Sequence, residues 1–339
     1  MLEVRNHTPL STALIPGLDK DGYDYAVVIM KGNFQITPNQ ARLVLADEPA
    51  TIFQGDEHYG EPPDTSVRYE SDTAMLKRGT DIVVNGHAYA PGKHAVLAQD
   101  VSLQVGAVKK TCRVFGDRHW EKSLTEWDHS QPAKFERMPL LYENAYGGVA
   151  AGSDNQNPTA SPSNPLGKGY IGPKAKPTEG LPLPNIEDPR NLIQKWQDRP
   201  PLAGFGFISR GWQPRIALAG TYDAHWQKKR QPLLPMDFDD RYFNGAHPDL
   251  VTPAPLAGGE HVILTNLSDS GVLEFDLPVW RDPVTVFMKG SKALFQPILD
   301  TVVMEPDKLS VQITWRATVP CPKQFLYIDT VIIGKQRPT

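Results

Sequence analysis

Hydrophobic and polar positions alternate with a period of two towards both ends of the chain, the spacing of a strand that buries one face. Leu309, Val311, Ile313, Trp315, Ala317 and Val319 fall in one register with polar residues between them. A face of that kind must cover a core. Thr301 to Glu305 precedes it across Pro306-Asp307-Lys308, so the two runs are expected to flank a turn. Val262 to Leu267 and Val272 to Leu277 flank the turn formers Ser268-Asp269-Ser270-Gly271 in the same way. Phe325 to Ile333 supplies a last strand.

The N-terminal part repeats the theme. Tyr25 to Ile36 begins apolar on both faces and then alternates, with Met30, Phe34 and Ile36 opposite Lys31, Asn33 and Gln35. This predicts a strand that leaves a sheet interior for a half-exposed surface. Thr80 to Tyr89 is a second run, closed by Pro91-Gly92. Val101, Leu103 and Val105 alternate with Asp100, Ser102 and Gln104, and Val108 to Val114 alternates again beyond Gly106-Ala107. A Gly-X pair between two such runs suits a two-residue type II′ hairpin, because Gly accepts the positive φ required. Helices are expected to be few and short. Asp188-Pro189 can cap and open one that reaches about Trp196, and Asp223 can cap Ala224 to Arg230, which Pro232 and Pro235 stop. Lys228, Lys229 and Arg230 then form a solvated, dipole-favoured end. The expected fold is mainly β: antiparallel sheets packed as a β-sandwich or barrel-like scaffold, with long Pro/Gly-rich aromatic loops.

Composition narrows the class. The 339 residues can be read as one β-rich domain, 1–339, with a loop-rich region at 114–260 inside it. That region is too rich in Trp and Tyr for a disordered linker and too rich in Pro and Gly for regular helix or sheet. From Gly152 to Pro184 the composition shifts to Gly, Pro, Ser and Asn, and a long structured loop is preferred over a linker because the flanking stretches are aromatic. A net charge of −4 gives no footprint for nucleic acid. No run is long and apolar enough for a membrane span, and the first residues lack the pattern of a signal peptide. With two distant cysteines, Cys112 and Cys321, a reducing cytoplasm fits best.

Candidate chemistry adds little. The nine His are scattered, no paired C-x-x-C occurs, and Asp237-Phe238-Asp239-Asp240 lacks the Gly and terminal Glu of a calcium loop. Gly167-Lys168-Gly169 and Gly204-Phe205-Gly206 lack the rest of a phosphate or dinucleotide fingerprint. No metal, cofactor or catalytic residue is therefore assigned, and Cys112, set mid-strand, is expected to be buried with a raised pKa. Carboxylates at Asp117, Glu121, Glu126, Asp128, Glu143, Asp237 and Asp239 lie near Trp120, Trp127, Tyr142 and Tyr146. Sugar-stacking aromatics with two carboxylates across a cleft would make a β-rich glycoside hydrolase or lectin, which is the alternative reading. The structural reading makes the same residues loop caps and core anchors.

One resemblance spans nearly the whole chain. Its words run from Lys31-Gly32-Asn33-Phe34 through Tyr69-Glu70-Ser71-Asp72, the Gly79 to Pro91 stretch and Gly116-Asp117-Arg118-His119-Trp120. They continue through Met138-Pro139-Leu140, Tyr146-Gly147-Gly148, Asn164-Pro165-Leu166-Gly167-Lys168-Gly169 and Leu183-Pro184-Asn185. Gly220-Thr221-Tyr222-Asp223, Leu234-Pro235-Met236-Asp237-Phe238-Asp239 and Gly258-Gly259-Glu260 close the series. In this order they resemble a bacterial domain-of-unknown-function family associated with type VI secretion. The resemblance implies a cytoplasmic adaptor or chaperone that holds an effector, often through its PAAR-containing part, and helps load it onto the VgrG spike. It implies no catalytic residues. On that reading a few aromatic anchors would carry the binding of the effector, and Trp120, Tyr146, Trp226 and Phe238 are the candidates. A scaffold of the secretion apparatus is a third possibility.

Overall fold

The computed structural model describes residues 2–38, 40–150, 153, 158–173, 175–321 and 324–335. Three sheets carry the fold. The largest runs Ser11–Leu18, Asp24–Gln35, Ser310–Cys321, Ile298–Glu305, Asp81–Val84, antiparallel until the last pair, which is parallel. The second, wholly antiparallel, runs Ile186–Glu187, Val108–Phe115, Ala98–Val105, His261–Thr265, Val272–Asp276. The third sets Glu3–Asn6 parallel to Ile328–Ile333, followed by Val284–Met288 and Ser291–Phe295. Among the described residues all three sheets stay open and none closes into a barrel. Their apolar faces feed one continuous core, to which Met30, Ile313 and Trp315 come from the first sheet, Leu103 and Leu264 from the second, and Val286 and Val331 from the third. The fold is mainly β, as the alternation predicts, with Ala224–Lys229 the one α-helix among the described residues.

Local chemistry explains the elements. Val105 pairs with Val108 across Gly106-Ala107, and Gly106 has φ +54, the sign a primed hairpin turn needs at its first position. Ser310–Cys321 pairs with Ile298–Glu305 around Pro306–Lys308, and Val311, Ile313, Trp315, Ala317 and Val319 of its predicted face are buried, while Leu309, at φ +51, is half-buried and closes the turn instead. Asp223 caps Ala224–Lys229 by accepting the Trp226 N–H at 2.8 Å.

Four expectations are corrected. Lys31 is buried, not half-exposed, because the segment around residues 72–75 crosses the polar face of the sheet. There Lys31 donates to Asp72 at 2.8 Å, Arg316 to the Ala74 carbonyl at 2.6 Å and Thr318 to the Met75 carbonyl at 2.8 Å. The Thr80 to Tyr89 run is two strands, since Asp81–Val84 joins the large sheet while His87–Tyr89, beyond Gly86, pairs with Arg137–Pro139. The last run opens with the 3-10 turn Phe325–Tyr327, so its strand is Ile328–Ile333. No helix follows Asp188. Its carboxylate binds the Arg190 N–H at 2.9 Å, Glu187 takes the Ile193 N–H at 2.8 Å, and Asp198 takes those of Gln194 and Lys195 at 2.8 Å each. Side chains thus satisfy the backbone donors that an α-helical turn would otherwise use.

The loop-rich region is tied down from within. Tyr146–Gly147 pairs with Lys168–Gly169, and the buried Asn164 amide donates to the Tyr142 and Tyr146 carbonyls at 2.8 and 3.2 Å. Within the Gly152 to Pro184 stretch, residues 152, 154–157 and 174 lie outside the described residues.

Candidate functional site

The loop words dock on one another. Arg118 stacks 3.8 Å above the Phe115 ring and forms a buried ion pair with Glu187. Asn185 donates to the Phe115 carbonyl and to the Asp117 carboxylate, each at 3.0 Å, and the Trp120 N–H reaches the Leu181 carbonyl at 2.9 Å. These contacts close a small second core of Trp120, Tyr146, Ile171, Leu183 and Ile193. Trp120 and Tyr146 are therefore enclosed, and burial pushes the Tyr146 phenol up to about 12. Phe238 is also enclosed, 5.6 Å from the Tyr242 ring and 5.2 Å from that of Phe243. Of the four aromatic candidates only Trp226 reaches the surface, half-buried, with its indole N–H held by the Leu233 carbonyl at 2.8 Å.

Trp226 belongs to an apolar corner. Tyr222 meets it edge-on at 4.7 Å and is 53% exposed. Met236 is 66% exposed on the same Gly220–Asp239 excursion. The turn at residues 19–23 abuts it, since Arg230 donates to the Lys20 carbonyl and Leu233 packs over Gly22, and this turn carries Tyr23, 60% exposed. Asp237 holds the excursion closed by accepting from Thr221 N at 3.0 Å and from its hydroxyl at 2.7 Å. Exposed aromatic and Met side chains on a braced backbone are the composition of interface anchors. Spacing does not single out Tyr23, Tyr222 or Met236, although the words Gly220-Thr221-Tyr222-Asp223 and Leu234-Pro235-Met236-Asp237-Phe238-Asp239 hold the last two.

Beside the corner begins a trough of three adjoining hollows. The first, about 440 Å3, lies between Pro214 and Leu218 on one wall and Pro248 and Val251 on the other, with Arg78 and Arg241 at its lip. It shares Ile208, Pro214 and Pro248 with a second hollow of about 500 Å3, which shares Arg190, Asn191 and Pro201 with a third of about 510 Å3. Leu218 and Asp239 join the corner to the first hollow, the Asp239 N–H donating to the Leu218 carbonyl at 3.0 Å.

Most polar groups of the floor are satisfied within the chain, the exceptions being Asn244 Oδ1 and Glu70 Oε2, which have no hydrogen-bond partner among the described residues. Arg215 donates to the Tyr242 and Ile208 carbonyls at 2.8 and 2.9 Å and to Glu70. Asn244 donates to Asp81 at 3.0 Å, Gly245 N to the same carboxylate at 2.9 Å, and Lys77 pairs with it at 2.7 Å. Gly245 is required here, because a Cβ would lie 2.2 Å from a Glu70 carboxylate oxygen. His247 meets the Leu202 carbonyl through Nε2 at 2.9 Å and accepts the Asp249 N–H at Nδ1 at 3.2 Å. That pairing requires the neutral Nε2–H tautomer, and burial, with Lys110 nearby, pushes the imidazole down to about 4. The trough floor thus presents apolar surface over a neutralised polar layer.

Several of the residues proposed for sugar chemistry are engaged in local structure. Glu143 accepts from Ser66, Asp128 from the His129 N–H, and the Arg241 guanidinium holds Asp239 down to about 2. Cys112 is buried and its thiol is pushed up to about 12 by that burial. Among the described residues no group of three potential ligands could hold a metal, and no helix is long and apolar enough to cross a membrane.

Fold and surface together define a β-rich scaffold whose loops are pinned from within and whose exposed chemistry is an apolar corner leading into a trough. Residues 21–316 match the family described as "Uncharacterized protein conserved in bacteria (DUF2169)", and the chain belongs to that family. No curated protein and no solved structure matches it.

Proposed function

We propose that this chain is a cytoplasmic adaptor or chaperone that grips a type VI secretion effector, or the PAAR-type part of one, and helps load it onto the VgrG spike. The observation that carries this reading is the corner of Tyr23, Tyr222, Trp226 and Met236 opening onto a preformed trough. Large exposed apolar side chains on a braced loop are what a partner surface needs, and the close packing beneath keeps the ordering cost of binding low. Release follows when the spike competes for the same apolar segment. The test is co-purification of the full chain with the effector and PAAR-type proteins encoded beside its gene. A stable complex is expected, and failure of every neighbour to bind or be solubilised would sink the proposal.

A further inference from the structure

We infer that the trough holds an extended segment of the partner whose middle is apolar and whose two ends carry carboxylates; this rests on the adaptor reading above. The three hollows share wall residues in sequence, so they lie in a row along which an extended chain would run. Pro214, Pro248 and Pro253 line the first part, and Pro189, Pro200 and Pro201 the last. Proline rings give a stiff apolar wall that loses little conformational freedom on binding, and they offer no backbone N–H to a strand. Recognition must then come from apolar contact along the middle and from side-chain charge.

That charge sits at the two ends. In the first hollow the lining cations are Arg78, Arg215 and Arg241, with no carboxylate among the lining residues. Arg215 is internal and committed to Glu70, while Arg78 and Arg241 are 65% and 67% exposed. Arg78 gives Asp240 one nitrogen, Nη2 at 2.5 Å, and Arg241 gives Asp239 Nε and Nη2, so among the described contacts each guanidinium keeps further donors. At the far end Arg190, Arg199 and Asp198 line the third hollow; Arg190 is held by Asp188, at 2.7 Å through Nη2, and Asp198 accepts the Gln194 and Lys195 N–H groups. Arg199 bonds only the Trp196 and Asp198 carbonyls, at 2.9 Å each, and makes no ion pair among the described residues. Between the ends, Asp188 is matched by Arg190 at 2.7 Å, Asp249 by Lys110 at 2.8 Å, and His247 is neutral. An apolar stretch with Asp or Glu at each end, or with the C-terminal carboxylate at one of them, is complementary to this pattern, and arginine pairs carboxylates well.

The experiment uses the full chain, the effector that co-purifies with it, and fluorescein-labelled overlapping peptides tiling that effector. One peptide with an apolar centre and acidic ends is expected to bind. Binding should weaken about tenfold or more in the double variant Arg78→Glu/Arg241→Glu, and likewise when its acids are replaced by their amides. Benzoylphenylalanine placed at position 253 should cross-link to that peptide. Both arginines are largely exposed, so the variant should fold; if its thermal transition is lost, Arg78→Gln/Arg241→Gln gives the same comparison. Co-purification that survives both substitutions unchanged, with no cross-link from position 253, overturns this inference and leaves the adaptor reading standing. Absence of any effector complex with the wild-type chain removes the adaptor reading, and this inference falls with it.

Discussion

Arg215 shows how a β-sheet protein of this size comes to enclose so many charges. Its guanidinium is satisfied by two carbonyls and by Glu70, and the same layer holds Lys31–Asp72, Lys77–Asp81 and Arg316–Asp300. Four cations face four carboxylates, so the layer beneath the trough is neutral while each member depends on its partner. Replacing one member leaves the other enclosed and unpaired. Glu70→Gln should therefore destabilise the protein by about 3–5 kcal/mol in urea unfolding, whereas Glu70→Met with Arg215→Met together should cost less than the sum of the singles. His247 makes a second residue-scale prediction. Its folded pKa of about 4 lies below its ordinary value of about 6.5, so the unfolded chain binds the extra proton first as the pH falls. The contribution of this residue to stability is complete above about pH 6.5 and is lost between there and pH 4. His247→Gln should flatten that part of the stability profile, and NMR titration of the wild-type imidazole should find it neutral at pH 6. A native pKa near 6.5 would contradict the enclosed, neutral tautomer.

At the scale of elements, strands were legible wherever one face of a sheet imposes its period of two. The pairs about Gly106-Ala107, Ser268–Gly271 and Pro306–Lys308 are found where the alternation and turn residues set them. The sequence could not show that the polar side of Ser310–Cys321 is also covered, because Thr314 and Arg316 read as solvent-facing until Asp72 and Asp300 are placed beside them. The false helix after Asp188 has a similar origin. A cap residue followed by Pro fits a helix start equally well when carboxylates from Glu187 and Asp198 take the backbone donors instead. The Asp223 cap is genuine, and it braces the excursion that carries Trp226. Asp223→Ala should cost about 1 kcal/mol and raise hydrogen exchange across residues 224–229 while leaving the large sheet protected. Loss of protection throughout the sheets would show instead that this short helix is needed for the fold as a whole.

For the whole molecule, the sequence located an aromatic, loop-built region but not which of its rings are available. Burial depends on contacts between distant words: Arg118 with Glu187, Trp120 with Leu181, Asn164 with Tyr142 and Tyr146. Those contacts enclose Trp120 and Tyr146, whereas Phe238 is enclosed against Tyr242 and Phe243, and Tyr222, Trp226 and Met236 stay at the surface. Nor could spacing reveal the trough, whose walls come from segments more than thirty residues apart, near Pro214 and near Pro248. The ordered words therefore do two jobs: some hold the loops down, and one, Gly220-Thr221-Tyr222-Asp223, carries an exposed ring. The proposed function makes this corner the grip for an effector. It is tested most directly by calorimetric titration of the full chain with the effector that co-purifies with it, comparing wild type with Tyr222→Ala/Trp226→Ala. Micromolar or tighter binding that loses about 2 kcal/mol or more in the double variant, with its thermal transition retained, is the predicted result. Equal affinities for the two proteins, or no heat of binding with either, would contradict it.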